Sequence, residues 1–354
     1  MSNIDIRRFI DINILHHSIS SVSSIRDTVV LLTTEGTQGT DKIYNSLTDY
    51  TTQETTTQYP NTTKYIEMYF ANSGNKVRVL YGITSATLQQ TIKNLPNEQI
   101  VVAYTGQYSD IKLAAQTRET DNTIYGINQK ILLGCTVTDD TDEIKNFAVK
   151  YSNITGAEMT IAAYLSQIDI YGINTVQDYA FTKEVITPES NDDSILEKVL
   201  NNNMNIDMNI ASAIRNLGGN LKDGLDIVNE YILIVLQQTL TDRLFNLLAQ
   251  KIKGTSGLSA IYATMAQEFT RYITNGYLST DKVWTYDDLT VTYNNKTYTI
   301  IEANTPLLLG YSITILPLSS LTEEDKKLHK TPPIYVIVAD SYGIRKITVN
   351  GEVI

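Results

Sequence analysis

The stretch from Asp223 to Lys253, DGLDIVNEYILIVLQQTLTDRLFNLLAQKIK, constrains this chain more than any other. Apolar residues recur at helical spacing through Ile227, Tyr231, Leu233, Ile234, Leu236, Leu240, Leu244 and Leu247, and Val228, Ile232, Val235 and Leu248 widen the stripe. Asp223 is the expected N-cap, Asp226 and Glu230 suit the positive end, and Lys251 and Lys253 suit the negative end. Gly254 is the expected C′ residue. About thirty residues at 1.5 Å each make a rod on the order of 45 Å. Its middle, Tyr231 to Leu236, is apolar on every side, yet a bilayer needs about twenty such residues, so the helix must be buried in protein.

At 354 residues the chain can hold two domains and a sizeable core. With 39 acidic against 28 basic residues the formal charge is 28 − 39 = −11. That disfavours a nucleic-acid backbone or an anionic membrane as the main partner. The single cysteine, Cys135, excludes an internal disulfide framework and any multi-cysteine metal site, and its strand, KILLGC, marks it as a core filler. The N-terminus lacks the apolar run of a signal peptide, so a soluble product made in the cytoplasm is expected. A count of 23 Tyr against one Trp leans toward half-wet contact surfaces and strands.

At the N-terminus Ile4, Ile6, Ile10, Ile12 and Ile14 hold even positions and polar residues most of the odd ones, the period of a strand with one apolar face. A Ser-rich linker from Ser18 separates it from the rest, so it must join a sheet of its own subunit or of a neighbour. Thr28 to Thr33 reads as a buried strand, a short helix surrounds Tyr65 to Tyr69, and Val77 to Tyr81 is the next strand. From Ala86 helix and strand signals alternate: helices at 86–95, 111–118, 142–146 and 157–168, and strands at 99–104, 130–137, 148–151 and 178–184. This spacing implies an α/β layer with a largely parallel sheet. Pro188 to Asp192 is the clearest boundary. A second helix, Leu258 to Tyr277, follows the long one across Gly254 to Gly257 and makes a helical hairpin. A β-hairpin around Asn294-Asn295-Lys296, a strand at 311–316, a short helix at Leu321 to Lys330, and a last hairpin of Ile334 to Ala339 with Ile344 to Val349 complete the chain.

No catalytic motif is present: G-x-S-x-G, Walker, G-x-G-x-x-G and H-E-x-x-H patterns are all missing from the sequence. Adjacent His16 and His17 on a strand would point to opposite faces, a poor metal pair. The acids Asp139, Asp140, Asp142 and Glu143 lack the order of a calcium loop and read as helix starts or solvated turns. Gly218-Gly219 is better read as a turn than as an anion cradle, since Asp223 would repel phosphate. Neither a catalytic group nor a cofactor is expected.

Several blocks, in order, resemble contractile tail sheath proteins. KIYNSLTDYTT with TKYIEMYFANSGNKVRVLYG is similar to that family's segment running from a Ser-Leu turn to a V-R-V strand, with Ser73-Gly74 where a glycine pair is usual. LGGNLKDG, Leu217 to Gly224, resembles the family's lead-in to its long helix, and ITNGYL, Ile273 to Leu278, its exit. TEEDKKLHKTPPIYVIVADSYGIRKITVNGEV resembles its close. Residues 86–185 match only in type.

The resemblance implies a structural, non-enzymatic subunit of a phage tail or phage-tail-like particle, assembled in the bacterial host cytoplasm. Its partners would be other copies of itself in hexameric rings and a helical polymer, an inner tube protein, and baseplate and tail terminator proteins, with no nucleic acid and no membrane insertion. The expected fold is mixed α/β: an arm and linker at 1–25, an α/β layered domain at 26–187, an assembly domain at 188–333 with the helical hairpin, and a strand hairpin at 334–354. The resemblance also implies tube attachment through Lys326, Lys327 and Lys330 of the short C-terminal helix. It further implies strand exchange between subunits through Ile4, Ile6, Ile10, Ile12 and Ile14 and through Ile344, Ile347 and Val349. An α/β enzyme or nucleotide-binding protein, or another tail or baseplate component, are the competing readings.

Overall fold

The structure of the protein is a computed structural model, which describes residues 13–14, 28–54, 57–96, 98–120, 130–169, 178–189, 192–210, 212–250, 254–339 and 341. Its first part runs β1 (Asn13–Ile14), β2 (Val29–Leu32), β3 (Asp41–Tyr44), α1 (Leu47–Gln53), α2 (Pro60–Ala71), β4 (Val77–Leu80), α3 (Ser85–Asn94) and β5 (Val101–Tyr104). Then come α4 (Tyr108–Thr120), β6 (Ile131–Thr136), β7 (Phe147–Tyr151), α5 (Met159–Ser166), α6 (Asp193–Asn201), β8 (Asn205–Ile210) and β9 (Ala213–Leu217). The remainder is α7 (Ile227–Ala249), α8 (Gly254–Thr274), β10 (Leu289–Tyr293), β11 (Lys296–Ile301), β12 (Tyr311–Ile315), α9 (Glu323–Lys327) and β13 (Ile334–Val338).

Eight strands form one sheet in the order β3-β4-β2-β5-β6-β7-β8-β9, parallel throughout except for the antiparallel edge pairs β3–β4 and β8–β9. The expected α/β layer with a largely parallel sheet is therefore present. Strands of a parallel sheet are buried on both faces and read as continuous apolar runs, as VVLL and VVAY do. One face, carrying Val30, Leu32, Val102 and Leu132, packs under α3, α4 and α6. The other, carrying Val29, Leu31, Val101 and Leu133, packs under α2, α5 and α7 and continues without a break to α8 and β13. β8 and β9 carry the sheet past residue 188, where a second unit was expected to begin. NIDMNI of β8 has the period of a strand, with Ile206 and Met208 buried against the sheet's helices.

The long helix is shorter than its apolar run suggests. α7 begins at Ile227, and Asp226 rather than Asp223 caps it, its Oδ1 accepting from the Val228 and Asn229 amides at 2.8 and 2.9 Å. The reason is local. Gly224 takes φ +85°, and the Leu221 amide donates to the Leu225 carbonyl at 2.8 Å, closing a turn that a helix cannot contain. At the far end Lys251 and Lys253 lie outside the described residues, and Gly254 opens α8 instead of closing α7. The Gly254-to-Gly257 link is thus helical, with Gly257 buried in its first turn.

Two further expected elements fail for one reason: short polar side chains compete with the backbone ladder. The helix expected at 142–146 is irregular, because the Asp140 carboxylate accepts from the Asp142 amide at 3.0 Å and Asn146 turns to φ +52°. Asp140 is not a solvated turn residue either. It is 3 % exposed, bonded to Tyr108 Oη and paired with Lys112 Nζ at 2.9 Å. The strand expected at 178–184 is a loop, in which Asp178 accepts from the Ala180 amide, Phe181 sits at φ +64°, and a single bridge joins Lys183 to Arg215. Cys135 lies at the half-buried end of β6 rather than in the core.

That loop closes over a charge in the sheet. Lys150 on β7 is fully buried, with Nζ 2.8 Å from Glu184 Oε2, 2.7 Å from Asp207 Oδ1, 3.1 Å from Tyr179 Oη and 3.2 Å from Asn216 Oδ1. Burial alone would lower the lysine's pKa, but Asp207 and Glu184 hold it above its ordinary value. Burial also pushes the Asp207 carboxyl up, to about 7, against the pull of Lys150. Removing one member of such a cluster strands the rest in a low dielectric, at a cost of about 3–5 kcal/mol. Lys150→Met should therefore lower the urea midpoint sharply, and adding Glu184→Gln with Asp207→Asn should restore most of the loss. A single variant that melts like wild type would show that the cluster contributes nothing.

Candidate assembly surfaces

The C-terminal third is organised on β13, whose five residues are all buried. Ile334, Val336 and Val338 face the core shared with α7 and α8, whereas Tyr335, Ile337 and Ala339 face a second cluster built on Trp284, Ile300, Leu307 and Leu316. Full burial of each aliphatic side chain contributes about 2 kcal/mol. The strand's two backbone edges are used differently. On one side β12 pairs antiparallel along the whole strand, from Tyr311 opposite Val338 to Ile315 opposite Ile334. On the other, β1 pairs in parallel, Asn13 opposite Tyr335 and Ile14 opposite Val336. Two residues of the N-terminal arm thus reach the middle of the β13 edge from within the same chain. Of the strand positions expected to exchange, only the Ile14 backbone is described; Ile4, Ile6, Ile10, Ile12, Ile344, Ile347 and Val349 lie outside the described residues.

β12 is an edge strand of this small sheet among the described residues, and it is half-buried throughout. Beside its end an open groove of about 630 Å³ runs between Leu258 and Tyr262 of α8 and Ile315 to Leu318. At the other end of the strand, in the loop before β12, Leu308 and Leu309 are 74 % and 59 % exposed. Unpaired edges and exposed apolar residues are features of an interaction surface. Composition alone could not reveal this, because the sequence signal of a half-buried strand is the same at an edge as inside a sheet.

The expected helix at Leu321 to Lys330 is reduced to the single-turn α9, preceded by a 3-10 turn at Leu318–Ser320. Thr322 and Asp325 form a capping box: Thr322 Oγ1 accepts from the Asp325 amide at 3.1 Å, and Asp325 Oδ2 accepts from the Thr322 amide at 3.2 Å. Asp325 also draws Tyr293 Oη at 3.3 Å and Lys330 Nζ at 2.9 Å, which ties α9 to the β10–β11 hairpin. The Lys330 ammonium and the Thr322 hydroxyl hold the Asp325 carboxyl well below the usual carboxylate range. His329 at φ +54° stops the helix. Of the three lysines expected to face a tube, Lys326 pairs with Glu323 at 2.7 Å and Lys330 with Asp325, so both are engaged within the chain. Lys327 is exposed and has no ion pair among the described residues.

Among the described residues no cluster of three or more His, Cys, Asp or Glu could hold a metal, and no helix is long and apolar enough to cross a membrane. No protein-family model matches the chain, and no curated protein does. Solved structures do match over nearly its whole length. The chain is similar to one from the contracted helical sheath of the anti-feeding prophage, with TM-score 0.64 and 13 % identity over 97 % of this chain and 98 % of that one. It is similar also to a chain of that particle's six-fold symmetrised baseplate, with TM-score 0.62 and 12 % identity over 99 % of each. A chain of the contracted baseplate matches at TM-score 0.61 and 13 % identity, over 97 % and 99 %. The protein has the fold of these sheath and baseplate chains, and the resemblance to tail sheath proteins read from the sequence is supported at that level.

Proposed function

We propose that the chain is the structural subunit of a contractile tail sheath, which polymerises around an inner tube and contracts to drive it through a cell envelope. The observation that carries this reading is the full-length likeness to a chain solved within a contracted helical sheath. It is supported by the geometry of β13, which offers one backbone edge to an apolar N-terminal arm. In a polymer the arm of one subunit would take that edge of the next, and Ile344, Ile347 and Val349 would extend the same sheet. Backbone hydrogen bonds give such an added strand its affinity, and alternate side chains give it register. Hexameric rings stacked into a helix, with baseplate and terminator proteins at the two ends, are the corresponding partners. A second reading, a baseplate component built on the sheath fold, is favoured by the nearly equal match to two baseplate chains.

Strand exchange is tested by deleting residues 1 to 17. The shortened subunit should fold, with a thermal transition lowered by loss of the Asn13–Ile14 pairing to β13, and should fail to form tubes. Tubes of normal length from that protein would eliminate exchange through the arm.

Tube attachment is proposed through Lys327 first, with Lys326 and Lys330 in support, since the latter two must loosen existing ion pairs. Reversing all three to glutamate should leave the subunit folded and able to polymerise, yet unable to assemble on the tube. Tails of normal appearance from that variant would reduce α9 to a solvated turn.

A further inference from the structure

Parallel sheets gather ligands beyond the carboxyl ends of their strands, next to the point where strand order reverses. Here the order reverses at β2, with β4 on one side and β5 on the other. Past the ends of β5, β6 and β7 lies a cavity of about 230 Å³. Its wall is made of tyrosines set on glycines. The Tyr104 ring lies over Gly106, where a Cβ would come within 2.2 Å of it. A Cβ on Gly134 would meet the Tyr108 and Phe147 rings at 2.9 Å, and one on Gly156, whose φ is +82°, would meet the Tyr65 ring at 3.2 Å. A side chain at any of the three would move a ring, so the glycines keep this space shaped as it is.

Glu158, just before α5, also lines the cavity and is 2 % exposed. Its Oε2 is buried and meets no hydrogen-bond donor among the described residues. The Tyr65 hydroxyl lies close enough to the Glu158 carboxyl to favour its charged form, yet Oε2 itself is left without a donor among the described residues. The Tyr65 hydroxyl donates to the Tyr104 carbonyl at 3.3 Å, the Cys135 thiol to the Ser152 carbonyl at 3.2 Å, and the Ser152 hydroxyl to Glu189. An unpaired buried carboxyl oxygen is costly. Burial accordingly pushes the Glu158 carboxyl up to about 7.

We propose that this cavity binds a small primary ammonium compound, whose charged nitrogen is held by Glu158 within the ring of tyrosines. An ammonium brings three N–H donors to the orphan oxygen, and the aromatic rings that line the cavity suit a cation. The other ligand classes fit worse. An anion would meet Glu158 itself, and the lysine opposite Cys135 in the sheet, Lys150, is committed to Asp207 and Glu184. A metal lacks the necessary donors among the described residues. An apolar molecule would leave Oε2 unpaired. The site owes nothing to the proposed sheath role and stands or falls separately.

The test titrates the full chain with ethylammonium chloride at about pH 8, where Glu158 is mostly ionised, following the melting temperature and the heat of binding. Ethanol and sodium chloride of equal ionic strength are the controls. Ethylammonium should raise the melting temperature saturably while ethanol and sodium chloride do not. Glu158→Gln should weaken binding by about tenfold or more, since it keeps the shape and removes the charge. Cys135→Leu fills the cavity and spares the carboxylate, and it should abolish binding as well. The proposal is overturned by the absence of saturable binding, by an equal response to ethanol or salt, or by undiminished binding in either folded variant.

Discussion

Every part of the C-terminal third depends on the backbone of β13. A strand buried on both faces cannot leave its N–H and C=O groups to water, so each edge must be paired. β12 serves one edge along its full length, and the arm reaches the other at Tyr335 and Val336. The same strand joins two apolar clusters, one under α7 and α8 and one around Trp284. Altering its register by one residue would exchange the two faces and expose both clusters at once. The position of the arm and the packing of the helical hairpin follow from that one strand.

α7 links this region to the large sheet. Its middle turns are buried on all sides, because one flank meets α2 and α5 beneath the parallel sheet and the other meets α8 and β13. Glu268 on α8 is 1 % exposed and pairs with Arg243 of α7 at 2.5 Å and with Arg271 at 2.6 Å, fixing the hairpin by charge as well as by area. Load applied to the small sheet is therefore transmitted to the layered sheet through packed side chains rather than through a flexible linker. The proposed sheath role would call for such a connection.

Much of this was legible in the sequence where hydrophobic period was strong. The fully apolar middle of α7 required burial on all sides, runs such as VVLL read as buried strands, and the alternation of helix and strand signals pointed to a parallel sheet. The isoleucine alternation of the arm pointed to a strand needing a sheet, and residues 13–14 do pair with one. What the sequence concealed were events decided by single polar side chains. Asp140 looked like a surface acid but is buried by Tyr108 and Lys112, and Asp226 displaced Asp223 as a cap because Gly224 closes a turn. Lys150, Glu184 and Asp207 are far apart in the chain, and no local pattern shows that they meet. The lysines of α9 stood out by charge, but only the folded geometry reveals that two of them are already paired.

The central claim is that this chain exists to polymerise through its terminal strands. Negative-stain electron microscopy of the purified full-length protein tests it most directly. Striated tubes or stacked rings are the result the account predicts. A field of monodisperse globular particles, at concentrations where the protein is folded, would contradict it and return the α/β layer to the class of ligand-binding or enzymatic domains.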